Sequence, residues 1–408
     1  MKTHPDRVGL TSSGSRIAAR DRPPFGFVLL VGVLSFFGDF TYEGARSVLG
    51  PFLLSLHATA TVVGVVAGLG ELLGYTLRLG SGKLADTTGR HWTIATFGYV
   101  VQMTSVPALA LASTWPMAAA LIVLERVGKA IRNPPRDVML SRAADQLGGG
   151  YGWVFGVHES LDQFGAMCGP LAVALVLARS GDYRLAFATL AVPAALNLCL
   201  LIAARALYPG LAGRDSGRSR SEPRTLPRRF WIYLCGAGLV AAGLADYPII
   251  AYHWSVSGTV AGKWIAAFYA VAMATSGTGS LVLGRLFDRF GFSVLITLTF
   301  VAALFAPLVF LGGFWMSLVG AAIWGLCSGV HESIIPAAVA PMAPSGLRAT
   351  AFGTFTAGYG IAWFLGSSAI GVLYDRSPSA AVTFCVVTPL LALPFLALAG
   401  RSEEEGRP

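Results

Sequence analysis

Apolar runs of about 20 residues recur along this whole sequence, and a run of that length is what an α-helix needs to cross a membrane. Segments such as 294–312 are apolar on every side, whereas the strands of a membrane β-barrel would alternate apolar and polar residues. Only 12% of the residues are charged, which is too few to cover a soluble domain, where about 25% is usual. The sequence therefore predicts an all-α membrane protein.

We predict twelve transmembrane helices in two pseudo-symmetric six-helix bundles, at residues 26–204 and 230–400. Residues 1–25 are predicted to be a disordered leader without a signal-peptide cleavage site. Residues 205–229 are polar, basic and broken by Pro and Gly, which indicates a flexible linker, and residues 401–408 form a tail. The twelve spans are placed at 27–49, 58–79, 92–113, 116–141, 153–178, 183–204, 230–252, 263–283, 293–312, 315–340, 349–371 and 378–399.

Lysine and arginine are concentrated in one set of loops, which includes the leader, the linker and the tail. Because cytoplasmic loops retain these residues, we expect both termini to be cytoplasmic in a multi-pass protein of the cell (inner) membrane. The net charge of +9 is then a topology signal that also favours contact with membrane lipid, and no nucleic-acid partner is expected. The five cysteines lie in apolar runs without CxxC spacing, so no metal site is predicted.

One short pattern, GxxxDxxG, follows both the second and the eighth span. Its equivalent position in each half indicates a parallel repeat of six helices. The first copy resembles the loop signature of the major facilitator superfamily, a family of twelve-helix secondary transporters. The resemblance implies a gating loop that latches the halves together on the cytoplasmic side in one state, and the alternative is a solvated loop whose charges only set topology. The residues concerned are Gly82, Asp86, Gly89, Arg90, Gly284, Asp288 and Gly291.

Two further stretches resemble narrower groups within that superfamily. Residues 126–137 (RVGKAIRNPPRD) are similar to the RlGKGiRtaPRDAL stretch of a prokaryotic subgroup, which also has an acidic first span and a fifth span like residues 155–162. Gly165, Gly169 and Pro170 resemble the GxxxGP signature of proton-linked exporters, although the trailing glycines of that signature are replaced by residues 171–174 (LAVA). This partial match favours efflux slightly over uptake.

Ionisable residues inside the spans are costly and are functional candidates by default. On the first span they recur at i, i+4 and i+7, and on the fourth at i, i+4 and i+7, so each set shares one helix face. We predict that they line a polar cavity for a proton and a small solute. The candidates are Asp39, Glu43, Arg46, Glu71, Glu125, Arg126, Lys129, Arg132, His158, Glu159, Asp162, Asp246, His331 and Glu332.

The competing interpretation is structural. Acids on the first and fifth spans could simply neutralise the cations of the fourth span, and such an ion-pair network would hold the bundle without touching substrate. The triplets 158–160 and 331–333 (both HES) lack the HExxH spacing of a zinc hydrolase. His331 is interpreted either as a cavity residue aligned with Arg132 of the other half or as a histidine bound to a neighbouring helix. Trp324 and Trp363 are assigned to a cavity lining or to packing.

The sequence predicts a secondary active transporter of a small solute that works by alternating access. No GxxxxGK[ST] sequence is present, so we expect a proton gradient rather than ATP as the driving force. No enzymatic activity and no cofactor are expected, and the protein is predicted to be a monomer. The alternatives are a proton- or cation-coupled uptake permease and a non-transporting membrane sensor of the same fold.

The topology can be tested with reporter fusions. Fusions at Gly213 and at the C-terminus should report a cytoplasmic location, and fusions near Ser180 and Ser257 an external one, because the basic loops remain inside. A periplasmic signal from the Gly213 fusion would overturn the twelve-span topology.

Overall fold

A computed structural model describes residues 23–148, 151–212, 225–339, 342 and 348–404. Most of these residues are in α-helices and none of them is in a β-strand, which confirms the predicted all-α class. Nearly all of the predicted leader, about half of the predicted linker and the last four residues of the tail lie outside the described residues. The last helix continues beyond the predicted bundle boundary at residue 400 and ends at Glu404.

Sixteen α-helices account for this part of the chain. Helices α1–α8 form what we call the N-terminal half, and α9–α16 form the C-terminal half. In order, they are α1 Pro24–Arg46, α2 Leu49–Ser55, α3 Ala60–Thr88, α4 His91–Ala108, α5 Trp115–Gln146, α6 Tyr151–Ser180, α7 Tyr183–Thr189, α8 Ala191–Leu207, α9 Arg228–Gly243, α10 Tyr247–Ser257, α11 Gly262–Phe290, α12 Phe292–Ala302, α13 Phe305–Leu311, α14 Phe314–Ala337, α15 Arg348–Arg376 and α16 Pro378–Glu404.

The outside of the molecule is apolar, as a bilayer requires. Among the described residues, eleven helical segments are long and apolar enough to cross a membrane. Large apolar side chains such as Ile202 and Trp315 are 69% and 74% exposed on this surface. The fourth predicted span corresponds to α5, which is long enough at 32 residues but carries too many charges to join the eleven. That α5 also crosses the membrane therefore stays a prediction.

The first span of each half is interrupted by a short break. Helix α1 ends at Arg46 and α2 starts at Leu49, while α9 ends at Gly243 and α10 starts at Tyr247. Helix α5, in contrast, remains one helix through the Pro134–Pro135 pair. The first break follows a helix of 23 residues and the second a helix of 16, and both put irregular backbone next to the contact between α2 and α10.

The halves meet through the pairs α3–α15, α6–α11 and α2–α10. Where α2 meets α10, the backbones are in direct contact, since any Cβ at Gly50 would overlap the carbonyl of Pro248. A Cβ at Gly64 would likewise overlap the carbonyl of Ser367 on α15. At the opposite end, a Cβ at Gly284 would meet no atom of another element within 4 Å. We call the end where α2 and α10 meet the closed end, and the opposite one the Asp86 end.

Glycine on α6 allows the close approach of α1. A Cβ at Gly165 would overlap the backbone oxygen of Phe36, and one at Gly169 would overlap that of Phe40. The glycines of the exporter-like motif, together with Pro170 inside the helix, therefore lie at a helix-packing contact.

This packing predicts a position-dependent effect of side-chain size on α6. Gly165→Leu should lower the free energy of unfolding by about 1–3 kcal/mol, because the added carbons overpack the α1–α6 contact. The measurement is the thermal-unfolding midpoint of the purified protein. Gly156→Leu is the matched control on the same helix, since a Cβ there meets nothing within 4 Å. Equal midpoints for the two variants would contradict the packing role of Gly165.

Candidate functional site

A cluster of charged side chains lies beside the two helix breaks, and Arg46 is at its centre. Its Nη2 atom is 3.2 Å from Glu71 Oε1 on α3 and 3.7 Å from Asp246 Oδ1, the residue before α10. Its Nη1 atom is 4.0 Å from Glu43 Oε2 on the same helix. Arg46 Nε is buried and has no hydrogen-bond partner among the described residues. A single guanidinium thus faces carboxylates of both halves.

Helix α5 adds two cations next to this centre. Arg126 Nη1 is 2.9 Å from Glu71 Oε1, so Glu71 is shared by two arginines. Lys129 Nζ lies 3.8 Å from the centre of the Tyr42 ring and 3.9 Å from Asp39 Oδ1. The Tyr42 hydroxyl is buried without a hydrogen-bond partner in the part of the chain that is described. These contacts surround one aromatic ring on α1 with cations, which its negative face favours.

Arg132 forms a second, fully buried group one helical turn further along α5. Its Nε atom donates to Gln102 Oε1 at 2.5 Å, Nη1 donates to the Tyr99 hydroxyl at 3.1 Å, and Nη2 is 3.4 Å from Asp39 Oδ1. The amide of Gln102 donates in turn to Glu125 Oε1 at 2.9 Å. Asp39 and Gln102 therefore connect the cations of α5 to α1 and to α4.

Glycines allow these groups to come together. A Cβ at Gly98 on α4 would lie 2.6 Å from the backbone nitrogen of Arg132, and one at Gly128 would lie equally close to that of Gln102. Because α4 and α5 touch at backbone level, the side chains of Tyr99 and Gln102 reach the Arg132 guanidinium directly.

Two acidic side chains bind the opposite half. The Tyr269 hydroxyl of α11 donates to Glu43 Oε2 at 2.5 Å. Asp246 faces Arg46 of the N-terminal half. Within its own half, Asp246 also accepts from the Ser367 hydroxyl and from Trp363 Nε1 on α15, the latter 3.2 Å away. The site is therefore shared between the halves, and its cross-half contacts can persist only while the halves stay together.

A small cavity adjoins the cluster between the halves, and its free volume of about 10 Å³ is roughly the space of one water molecule. Arg126 and Asp246 are its charged lining residues, and the rest of its wall is apolar, including Leu49, Val63 and Ile122. A second small cavity, with a free volume of about 20 Å³, lies inside the C-terminal half against His331 and has an almost entirely apolar wall. Within the described residues, no group of three His, Cys, Asp or Glu side chains is arranged to hold a metal ion.

Several predicted site residues lie away from the cluster. His158 Nε2 is 2.7 Å from the Ser35 hydroxyl on α1, and Glu159 is exposed beside Gln163. Asp162 Oδ1 is buried without a hydrogen-bond partner among the described residues. Among the described residues, the carboxylates within 4 Å of Arg126, Lys129 and Arg132 come from α1, α3 and α5. Asp162 of the fifth span is near enough to Arg132 and Arg136 to interact with them electrostatically, so a neutralising role for it stays a prediction.

The remaining predicted residues lie in the C-terminal half. His331 Nδ1 lies within hydrogen-bond distance of the Tyr359 hydroxyl, at 2.5 Å, so this histidine is bound to a neighbouring helix and also lines the apolar cavity. Glu332 lies on α14, and its side chain is outside the described part of the chain. Trp324 donates to the carbonyl of Ala245 at 2.7 Å and packs beneath the helix break.

The prediction that these residues form gating loops is wrong for this structure, because most of them lie in helices. Gly82 and Asp86 lie within α3, and Gly284 and Asp288 lie within α11. The helices end at Gly89 and Gly291, whose φ angles of 67° and 57° are in the left-handed region that favours glycine. The side chain of Asp86 is exposed and lies 3.7 Å from His91 Nε2 of its own half, and Arg90 is exposed. A latch formed by Asp86 stays a prediction for another state.

Sequence reasoning missed Tyr99, Gln102, Tyr269 and Ser367. Gln102 was detectable, since an amide inside an apolar span needs a polar partner. The other three are small or aromatic residues of a kind that packs ordinary helices, and only the fold brings them to the cluster.

The comparisons with known proteins agree with this architecture. The family model of the Major Facilitator Superfamily matches residues 28–247 and 244–408. The chain belongs to the major facilitator superfamily. It is therefore an all-α, multi-pass membrane transporter.

Its relatives are similar over nearly the whole chain. An uncharacterized protein of Mycobacterium tuberculosis is 38% identical over 389 residues, which is 93% of this chain and 94% of that protein. An uncharacterized transporter of the superfamily from Methanocaldococcus jannaschii is 23% identical and covers 86% of this chain, while 89% of its own length is matched.

Two solved structures share the fold at low identity. The nucleoside transporter NupG is 15% identical with a TM-score of 0.74, covering 91% of this chain and 98% of that chain. A peptide transporter POT in complex with sulfate is 14% identical with a TM-score of 0.75, covering 95% of this chain and 97% of that chain. At this identity the likeness concerns the fold alone.

The polar bridge from Arg132 to Glu125 predicts a cost for removing its middle member. Gln102→Leu should lower the free energy of unfolding by about 1–3 kcal/mol, since a buried guanidinium nitrogen and a carboxylate oxygen each lose a partner. Thr104→Leu on the same helix is the control, because Thr104 is exposed and bonds only backbone oxygens of its own helix. Thermal-unfolding midpoints of both variants check the difference, and a Gln102→Leu midpoint as high as that of the control would contradict the bridge.

Proposed function

We propose that the protein is a proton-coupled secondary active transporter of a small solute, which works by alternating access in the cell (inner) membrane. The observation that supports this most is that Glu43 and Asp246 are each bound to a group of the opposite half. Separation of the halves at the closed end removes the Tyr269 hydroxyl from Glu43 and Arg46 from Asp246. Each carboxylate then keeps only partners of its own half, Arg46 for Glu43 and the α15 donors for Asp246, and a buried carboxylate that has lost a partner is stabilised by neutralisation.

Protonation is the simplest way to neutralise such a carboxylate. Asp39 and Glu43 lie one helical turn apart on α1, and each is more than nine-tenths buried. Asp39 faces Lys129 and Arg132, whereas Glu43 faces Arg46 and Tyr269. Glu43 is therefore the carboxylate whose surroundings change most between states, and Asp39 is the one connected to the cations of α5.

The cavity between the halves is proposed as the cargo site. It is closed where α2 and α10 meet, and it is bordered by Arg126 and Asp246. In this state we propose that access is from the Asp86 end, which the orientation of the basic loops assigns to the cytoplasm. We propose transport without ATP, metal or cofactor, by a monomer whose constant partner is membrane lipid.

Efflux is proposed as the direction, on the exporter-like residues of α6 alone. Uptake through the same cavity is the alternative. Paired uptake and efflux assays of a small-molecule panel in proteoliposomes, with and without a pH gradient, identify the cargo and its direction together.

Neutral analogues of the two acids test the coupling. Asp39→Asn or Glu43→Gln should abolish gradient-driven accumulation, to the level of liposomes without protein. Exchange of cargo across the membrane should survive in at least one of them, because exchange needs no net proton movement. The assay compares accumulation and exchange in the same vesicles.

An ion-pair role without coupling makes a different prediction. Removing Asp39 would leave the buried Arg132 and the half-buried Lys129 without their shared carboxylate and cost about 3–5 kcal/mol, part of which a second change, Lys129→Met, should restore. Joint loss of accumulation and exchange in Asp39→Asn, with its midpoint rescued by Lys129→Met, would count decisively against coupling at Asp39. The corresponding pair for Glu43 is Glu43→Gln with Arg46→Met.

A further inference from the structure

Asp375 makes a contact between the halves that lies outside the charged cluster. It is in the last turn of α15, and its carboxylate reaches the first turn of α3 in the other half. Oδ1 accepts from the backbone nitrogen of Ala60 at 3.0 Å, and Oδ2 accepts from that of Thr61 at 2.8 Å. The Thr61 hydroxyl also donates to Oδ2, at 2.5 Å.

These bonds complete the N-cap of α3. The first backbone N–H groups of a helix have no partner within the helix and need an external acceptor. The side chain of Thr59, the N-cap residue, accepts from the nitrogen of Val62 at 3.3 Å, which leaves the two preceding nitrogens for Asp375. Helix α3 is therefore capped partly by its own half and partly by the other.

The carboxylate of Asp375 is electrostatically favourable only because it contacts α3. A carboxylate in the last turn of a helix opposes the dipole of that helix, whereas a carboxylate at a helix N-terminus is favoured. Asp375 has the first relation to α15 and the second to α3. The favourable relation exists only while the two halves are in contact.

The contact lies at the end of a close helix pair. From Asp375 inwards, Gly371 packs against the backbone of Ala60, and Ser367 packs against Gly64. Ser367 also donates to Asp246 of the charged cluster, and α3 carries Glu71, the partner of Arg46. Opening this helix pair therefore breaks the cap and disturbs the cluster in one movement.

We propose that Asp375 is a gating residue that holds the closed end shut by capping α3 from the other half, and that it releases this cap whenever the transporter opens at that end. The proposal rests on the proposed alternating access, and no proton or cargo is needed for the cap itself. The test therefore measures the separation of the two halves directly, and the cargo does not need to be known.

The test measures distances between spin labels at both ends of the full-length protein in lipid nanodiscs. The background is the chain with its five cysteines replaced by serine. One pair, Ser55→Cys with Ser257→Cys, lies on exposed ends of α2 and α10 at the closed end. The other pair, Thr87→Cys with Arg285→Cys, lies on exposed positions of α3 and α11 at the Asp86 end.

Asp375→Ala should raise the ratio of long to short distances at the closed end by about tenfold, since a charge-assisted cap of this kind is lost. The pair at the Asp86 end should shift to shorter distances in the same sample, because the halves rock as units. A frayed α3 without gating would broaden the closed-end distances and leave the other pair unchanged, and that result would overturn the proposal.

Asp182→Ala is the matched control. Asp182 also caps a helix with its carboxylate, since Oδ1 accepts from the nitrogen of Arg184 at 2.8 Å, but both residues belong to the N-terminal half. The helix that it caps, α7, lies near the closed end, where Phe187 packs on Phe52 of α2 with ring centres 4.7 Å apart. This variant should leave both distance distributions unchanged. An equal shift in Asp182→Ala and Asp375→Ala would overturn the proposal.

A variant on the partner side gives a second test. Thr61→Val removes one of the three bonds and keeps the backbone donors, so it should shift the closed-end ratio in the same direction by less. Combined with Asp375→Ala it should add nothing, because the hydroxyl has already lost its acceptor. Full additivity would contradict the cap. If the distances shift as expected while the proteoliposome assays find no transport, the proposed function fails and the gating role of Asp375 stands.

Discussion

The guanidinium of Arg46 is held between Glu43, Glu71 and Asp246, and the arrangement of the central helices depends on this contact. A cation among apolar helices is stable only where carboxylates surround it. Because these carboxylates come from α1, from α3 and from the chain before α10, one buried charge fixes the relative positions of elements in both halves. The two helix breaks, after Arg46 and before Tyr247, bring the backbone close enough for this.

Buried ion pairs of this kind contribute little net stability, since the cost of removing the charges from water offsets most of their attraction. Leaving one member unpaired, however, costs several kcal/mol. A cluster with this property can exchange partners at little net cost, provided that every charge always has one. Glu71, which is shared by Arg46 and Arg126, and Asp39, which is shared by Lys129 and Arg132, already have two partners each. Such sharing suits a protein that has to occupy two arrangements of its halves.

The sequence predicted the helix faces but not the partners. A spacing of four residues places Asp39 and Glu43 on one face whatever the fold, because it follows from helix geometry alone. Which cation Asp39 meets depends on packing between helices, and its 93-residue separation from Arg132 contains no distance information. The GxxxDxxG repeat was wrongly predicted to be a loop, because the second and eighth spans were ended at residues 79 and 283, just before the pattern. The helix continues to Thr88, and only Gly89 has the backbone conformation that a turn requires.

The helices α3 and α15 run antiparallel, so each has its N-terminus at the end where the other has its C-terminus. At the closed end, Asp375 of α15 binds the first residues of α3. At the other end, Asp86 of α3 lies 3.7 Å from His91 of its own half. A carboxylate is favoured at a helix N-terminus wherever it can reach one. Since rocking of the halves brings one end together as it separates the other, the same chemistry at both ends would give each state its own cap and keep their free energies close.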